Sequence, residues 1–156
     1  MSQKFLIPLD GSAAGETALH HVEEMVSKLA LGSKVEVILF QVITLLTYAV
    51  ATGDEAVEIP YTSSELEQMK VQAIDYLRNT AECLEGKGIT VRCEVAFGTS
   101  SAEEIIKAEA EVEADLVAMS THGRHGITRW AFGSVTDKVL RGSKVPVLTV
   151  RMPDKG

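Results

Sequence analysis

Cysteine is scarce. The chain carries two, Cys83 and Cys93, in separate segments and without Cys-x-x-Cys spacing, which excludes a disulfide framework, a four-thiolate zinc site and a thioredoxin-type redox motif, and points to a reducing compartment. Basic residues are outnumbered. Against 15 lysines and arginines stand 22 acids, for a formal charge of -7, so the surface is not built to neutralise nucleic-acid phosphates or anionic lipid. Long apolar runs are missing as well: the most apolar stretch, Val35 to Ala51, is interrupted by Glu36 and Gln41 and falls short of the roughly 20 residues that cross a bilayer. The opening MSQKFLIPLDG meets a proline and an aspartate before a secretory apolar core can form. Aromatics make up 5% of the residues and offer no platform for a flavin. These absences lead us to expect a cytoplasmic protein with neither a membrane nor a nucleic-acid partner.

What is present is apolar and periodic. With 46% hydrophobic residues in 156, one core is well supplied, and a single domain over residues 1–156 is expected. Lys4 to Leu9 reads as a buried strand closed by Asp10-Gly11-Ser12. Ala18, Val22, Met25, Val26 and Leu29 then recur at helical spacing, with Gly32 as the stop. Val35 to Ile43 is a second strand, apolar almost throughout, as a strand covered on both faces should be. Leu45 to Pro60 shows neither a clean period nor caps and is expected to be a mobile insertion. Thr62 to Glu65 is a capping box opening a helix through Leu84; Ile89 to Ala96 alternates like an edge strand. A second capping box, Ser100 to Glu103, opens a third helix, Asp115 to Met119 is a fourth strand, Gly133-Ser134 opens a last helix, and Val145 to Arg151 is a fifth strand. Such alternation implies an α/β architecture, an open five-stranded parallel sheet with helices on both faces.

Ligands of such sheets bind beyond the carboxyl ends of the strands, where strand order reverses. Two loops qualify. Leu9-Asp10-Gly11-Ser12 follows the first strand, and Met119-Ser120-Thr121-His122-Gly123-Arg124-His125-Gly126 follows the fourth, ahead of Gly133-Ser134-Val135-Thr136. Neither carries the Gly-Lys-Ser/Thr of the lysine-bearing phosphate loop, nor does Gly-x-Gly-x-x-Gly follow strand one. Yet a glycine and a serine at a helix start present amides, a hydroxyl and the positive end of the helix dipole, which together can hold a phosphate without a lysine. The competing reading is that these glycines only shape a loop.

Similar alternatives attend the other polar residues. Asp10 either closes its turn by accepting amides two positions on or acts on a ligand. His122 reads as a structural imidazole, while Arg124 and His125 either lend charge to an anion or are solvated. His20 and His21 lack a second ligand pair for a metal. Glu109, Glu111, Glu113 and Asp115 read as a solvated helix end. No serine-histidine-aspartate set can be assembled.

The motifs IPLDGS, VILFQV, STHG-RHGITRWAF-GSVTDKVL and VPVLTV resemble those of the universal stress protein family from end to end. The departures are Ser120 at the first glycine of the loop spacing, Gln41 where members often carry histidine, and Gly98-Thr99-Ser100 without the proline that often follows that glycine. The resemblance implies strand order 3-2-1-4-5 (a Rossmann-like, adenine nucleotide alpha hydrolase-like sheet) and, in the nucleotide-binding branch, ATP or AMP between strands one and four. By position, Pro8, Leu9 and Asp10 would border the adenosine, with Asp10 at the ribose or at a magnesium ion carried by the phosphates. Val42 would touch the adenine. Met119, Ser120, Gly123 and Gly126 would form the near wall, Arg124 and His125 would add charge, and Gly133, Ser134, Val135 and Thr136 would supply amides and hydroxyls to the phosphates.

The expected function is therefore an adenine-nucleotide-binding regulatory protein of the stress response, homodimeric through strand 145–151. The alternatives are a slow ATPase, a self-phosphorylating protein using Ser134 or Thr136, and a stress-related dimer whose crevice is blocked by Ser120 and the insertion.

Overall fold

The computed structural model describes residues 2–13, 15–29, 34–45, 48–52, 55–85, 88–121 and 133–151. The chain opens with β1 (Ser2–Pro8), whose Phe5-Leu6-Ile7 centre is buried on both faces, and passes to α1 (Thr17–Leu29), which buries Ala18, Leu19, Val22 and Val26. β2 (Lys34–Thr44) follows, with Val37 to Phe40 buried without interruption. Two short strands, β3 (Tyr48–Thr52) and β4 (Glu55–Ile59), precede α2 (Ser63–Ala81), which a 3-10 turn at Glu82–Leu84 extends. Then come β5 (Ile89–Gly98), α3 (Ser101–Glu111), β6 (Leu116–Thr121), α4 (Ser134–Gly142) and β7 (Val147–Arg151).

Five strands form one sheet in the order β5-β2-β1-β6-β7, all neighbours parallel. Numbered among themselves they give 3-2-1-4-5, as expected. Because parallel neighbours need crossover helices, each face of the sheet is covered. One core lies under α1 and α2, where Ile7, Leu39, Val22 and Leu77 meet; the other lies under α3 and α4, where Leu6, Ile38, Ile105, Val117 and Val139 meet. Leu6 and Ile7 are wholly buried on opposite faces of β1, which is the pleat of a central strand read out in side chains.

The helix starts follow the sequence closely. Thr62 Oγ1 accepts from Glu65 N at 3.2 Å while Glu65 Oε2 accepts from Thr62 N at 2.7 Å, completing the capping box. Ser100 Oγ accepts from Glu103 N at 3.4 Å to cap α3. β5 lies at the sheet edge, with Arg92 paired to Glu36 at 3.0 Å and to Glu94. Charge on its exposed side is the usual protection of an edge.

Three expectations are corrected. The segment expected to be a mobile insertion forms an antiparallel ribbon, in which Tyr48 pairs with Ile59, Val50 with Val57 and Thr52 with Glu55. Its sequence signal is weak, because alanines occupy Ala49, Ala51 and Ala56. The acidic cluster is not a uniformly solvated helix end either. Glu109 is 4% exposed, and its carboxylate accepts from Lys144 N at 2.8 Å and from Ser143 Oγ, tying α3 to the turn between α4 and β7. Asp115 accepts from Lys4 N at 2.8 Å. The fifth strand begins at Val147 rather than Val145, since Pro146 has no N–H to contribute and only its carbonyl is bonded, by Val117 N at 3.0 Å.

Candidate functional site

β1 has β2 on one side and β6 on the other, so strand order reverses about it and a crevice opens beyond its carboxyl end. Pro8 is the last residue of β1, in register with Phe40. Leu9 is buried in the core under α1 and α2, and its N–H continues the ladder to Phe40 O at 2.8 Å; only its backbone carbonyl remains for a ligand. Asp10 is exposed, and its Oδ1 accepts from Ser12 N at 2.9 Å and from Ser12 Oγ at 2.5 Å. Gly11 turns the chain at φ +84°, a conformation that favours glycine. Ser12 Oγ also accepts from Gly15 N at 3.2 Å, and a Cβ at Gly15 would stand 3.0 Å from Asp10 Oδ1. The turn is thus wound tightly around the aspartate.

On the far side of the crevice, Met119 is buried in the core under α3 and α4, and Val42 packs against that same core. Ser120 faces the other way. Its Oγ accepts from Ala18 N at 2.8 Å and donates to Gly15 O at 2.9 Å, capping the first turn of α1 from the end of β6. Its hydroxyl is committed to α1. Gly123, Arg124, His125 and Gly126 lie outside the described residues, as does His122.

The start of α4 is built differently from those of α2 and α3. Gly133 is its N-cap and supplies no side chain, so its first amides lack the internal acceptor that Thr62 and Ser100 give the other helices. Gly133 has an ordinary φ of −59°, and among the described residues nothing lies within 4 Å of where a Cβ would project. Neither backbone strain nor packing against the described residues demands glycine there. Ser134 and Val135 are exposed, whereas Thr136 is 6% exposed, so toward an anion at the helix start Thr136 offers its amide more readily than its hydroxyl. As a crossover between the parallel strands β6 and β7, α4 begins at the carboxyl edge of the sheet, the edge on which Asp10 and Ser120 also end.

Beside the crevice lies a cavity of ≈ 450 Å³, bounded by Gly11, the end of β2 from Gln41 to Thr44, and Met69, Gln72 and Tyr76 of α2. Gln41 Oε1 is buried and has no hydrogen-bond partner among the described residues. Tyr76 donates to Glu16 Oε1 at 3.1 Å, and burial, together with that carboxylate, pushes the phenol up to about 12. It is a neutral hydroxyl. In the sequence, Gln41 stands out as a break in an apolar stretch and as a departure from the family pattern, and nothing marks Tyr76 or Met69 as site residues; they line one cavity only because α2 packs on β2.

The chain matches the model of the universal stress protein family over residues 1–151. Universal stress protein MJ0577 of Methanocaldococcus jannaschii is 30% identical over 161 residues, covering 97% of this chain and 96% of the relative. Its solved structure superposes with a TM-score of 0.71 at 26% identity, over 98% of both chains. A universal stress protein in complex with cAMP has a TM-score of 0.66 at 18% identity over 97% and 98% of the chains. A family protein from Arabidopsis thaliana with AMP bound has a TM-score of 0.61 at 15% identity over 97% and 93%. At those identities the last two share the fold.

Proposed function

Because the chain belongs to the universal stress protein family, we propose that it binds an adenine nucleotide, ATP or AMP, and acts as a homodimeric regulatory protein whose loops and partner surface respond to occupancy. The observation that carries the reading is the start of α4: a helix N-terminus without a side-chain cap, opened by a glycine that packing against the described residues does not require, on the carboxyl edge of the sheet. Amides of Gly133 to Thr136 would cradle phosphate there, where the helix dipole favours negative charge. The cAMP and AMP held by two proteins of the same fold support the adenine nucleotide as ligand.

The remaining roles follow from placement. Asp10 would reach the ribose, or a magnesium ion on the phosphates, from a turn that already fixes its Oδ1. Pro8, Leu9, Val42 and Met119 would border the adenosine. Ser120, with its hydroxyl engaged by α1, would contribute backbone wall beside Gly123 and Gly126, and Arg124 and His125 would add charge near the phosphates.

Thermal melting with ATP, ADP, AMP and GTP, each with and without magnesium, tests this. At a hundredfold excess over Kd a ligand adds about 2.7 kcal/mol, a rise of roughly 5–10 °C for a chain of this size. In Asp10→Asn, which keeps the turn and removes the charge, the magnesium-dependent part of the rise should vanish. If no adenine nucleotide moves the melting temperature, the protein is a non-nucleotide member of its family.

A further inference from the structure

We propose that the cavity between the end of β2 and α2 receives the base of the bound nucleotide and that Gln41 recognises its exocyclic amino group, an inference that rests on the adenine-nucleotide reading above. Among the described residues, no group hydrogen-bonds the buried Gln41 Oε1, and a buried acceptor is a group that native structures pair with a donor. A ligand N–H would satisfy it. The cavity, at ≈ 450 Å³, is in the size range of small-molecule sites, and Gly11 leaves room for the amide: a Cβ there would stand 3.9 Å from Gln41 Nε2, on a backbone with φ +84°.

The chemistry of the lining decides which end of a nucleotide enters. Among the described residues, no charged side chain lines the cavity. Tyr76, already donating to Glu16, presents acceptor lone pairs to anything else that approaches it. A phosphate would meet a buried acceptor, Gln41 Oε1, and would sit near the carboxylates of Glu16 and Asp10, both of which act on the Tyr76 phenol. An uncharged ring bearing N–H donors meets complementary groups instead, with Met69 and Ala73 as apolar surface along α2. Gly11 adjoins Asp10 in the same turn, so a base in the cavity would place its sugar toward Asp10. The exocyclic amine of adenine is the donor that an oxo group at the same ring position replaces with an acceptor. Gln41 would therefore favour 6-amino over 6-oxo purines.

Calorimetric titration with AMP, IMP and purine riboside 5'-monophosphate, which carries hydrogen in place of the amine, tests this directly. The parent should bind AMP roughly tenfold or more tightly than the amine-free analogue, and IMP no better than that analogue. In Gln41→Leu the gap should close, while the ligand-free protein melts no lower than the parent because the substitution removes an unpartnered polar group. Met69→Trp, which fills the cavity from α2, should weaken AMP; if that variant melts below the parent, Gln41→Leu carries the test. Nucleotide binding with no gap in the parent, a gap that persists in Gln41→Leu, or a preference for IMP would overturn the role of Gln41 and leave the nucleotide reading standing. Absence of binding by every adenine nucleotide would overturn both.

Discussion

Two residues carry consequences of their own. Glu113 sits at φ 54°, the left-handed position after α3, where Ala114 N reaches Glu109 O at 3.0 Å and Glu113 N reaches Ala110 O at 3.3 Å. This is the Schellman ending, built on glutamate where glycine is the cheaper residue, at a cost of about 1–2 kcal/mol. Its ion pair with Lys4, at 3.7 Å and with the glutamate 86% exposed, offsets little of that. Glu113→Gly should raise the denaturant midpoint by about 1 kcal/mol of stability, and a lower midpoint would show that the glutamate has a stabilising role that its contacts do not reveal. Tyr76 bears on alkaline stability. Its phenol titrates near 12 in the folded chain against the ordinary 10, so between those values the unfolded state has lost a proton that the folded state keeps. Stability therefore falls as pH rises from 10 through 12. Tyr76→Phe should flatten that fall, as measured by denaturant midpoints across the alkaline range, and an unchanged slope would mean that other groups dominate it.

At the scale of elements, the contrast among helix starts is the useful one. α2 and α3 are capped by their own threonine and serine, while α4 has no side-chain cap. Gly133→Val places a side chain in space that no described atom fills, so the variant should fold with a melting temperature close to the parent's and lose its response to ATP. Retained nucleotide binding would move the phosphate site elsewhere. The same elements show what a sequence discloses. β1, β2 and the capped helices were legible because their signals are local: an unbroken apolar run, or a threonine three residues ahead of a glutamate. The turn at Asp10 and the helix start at Gly133-Ser134 were legible for that reason too. The β3–β4 ribbon was not, because its strands mix alanine and glutamate among the β-formers and its pairing is carried by the partner strand. Glu109 and Gln41 were illegible for a further reason. What buries Glu109 lies at Ser143 and Lys144, and what encloses Gln41 lies at Gly11 and on α2, so no window of sequence contains either environment.

For the molecule as a whole, β7 ends the sheet with Val147, Leu148 and Thr149 half-buried and only β6 beside it among the described residues. An apolar edge of this kind is covered or used. Two copies pairing their β7 strands antiparallel about a two-fold axis would continue the sheet across the dimer. Val147→Lys, which brings like charges together near that axis, should convert dimer to monomer in light scattering at tens of micromolar while the ATP response survives; a parent that is already monomeric, or a variant that remains dimeric, would defeat the arrangement. The β3–β4 ribbon behaves otherwise. The ribbon belongs to a separate two-stranded sheet, so a chain opened between Thr52 and Glu55 would leave the five-stranded sheet uncut. The pieces would nonetheless be unequal to standing alone. The first would carry β1 and β2, the middle of the sheet, and the second would carry β5 for one flank and β6 with β7 for the other. The second fragment's strands flank those of the first on both sides, which makes the ribbon a natural seam for a split protein whose halves regain a sheet only by complementation.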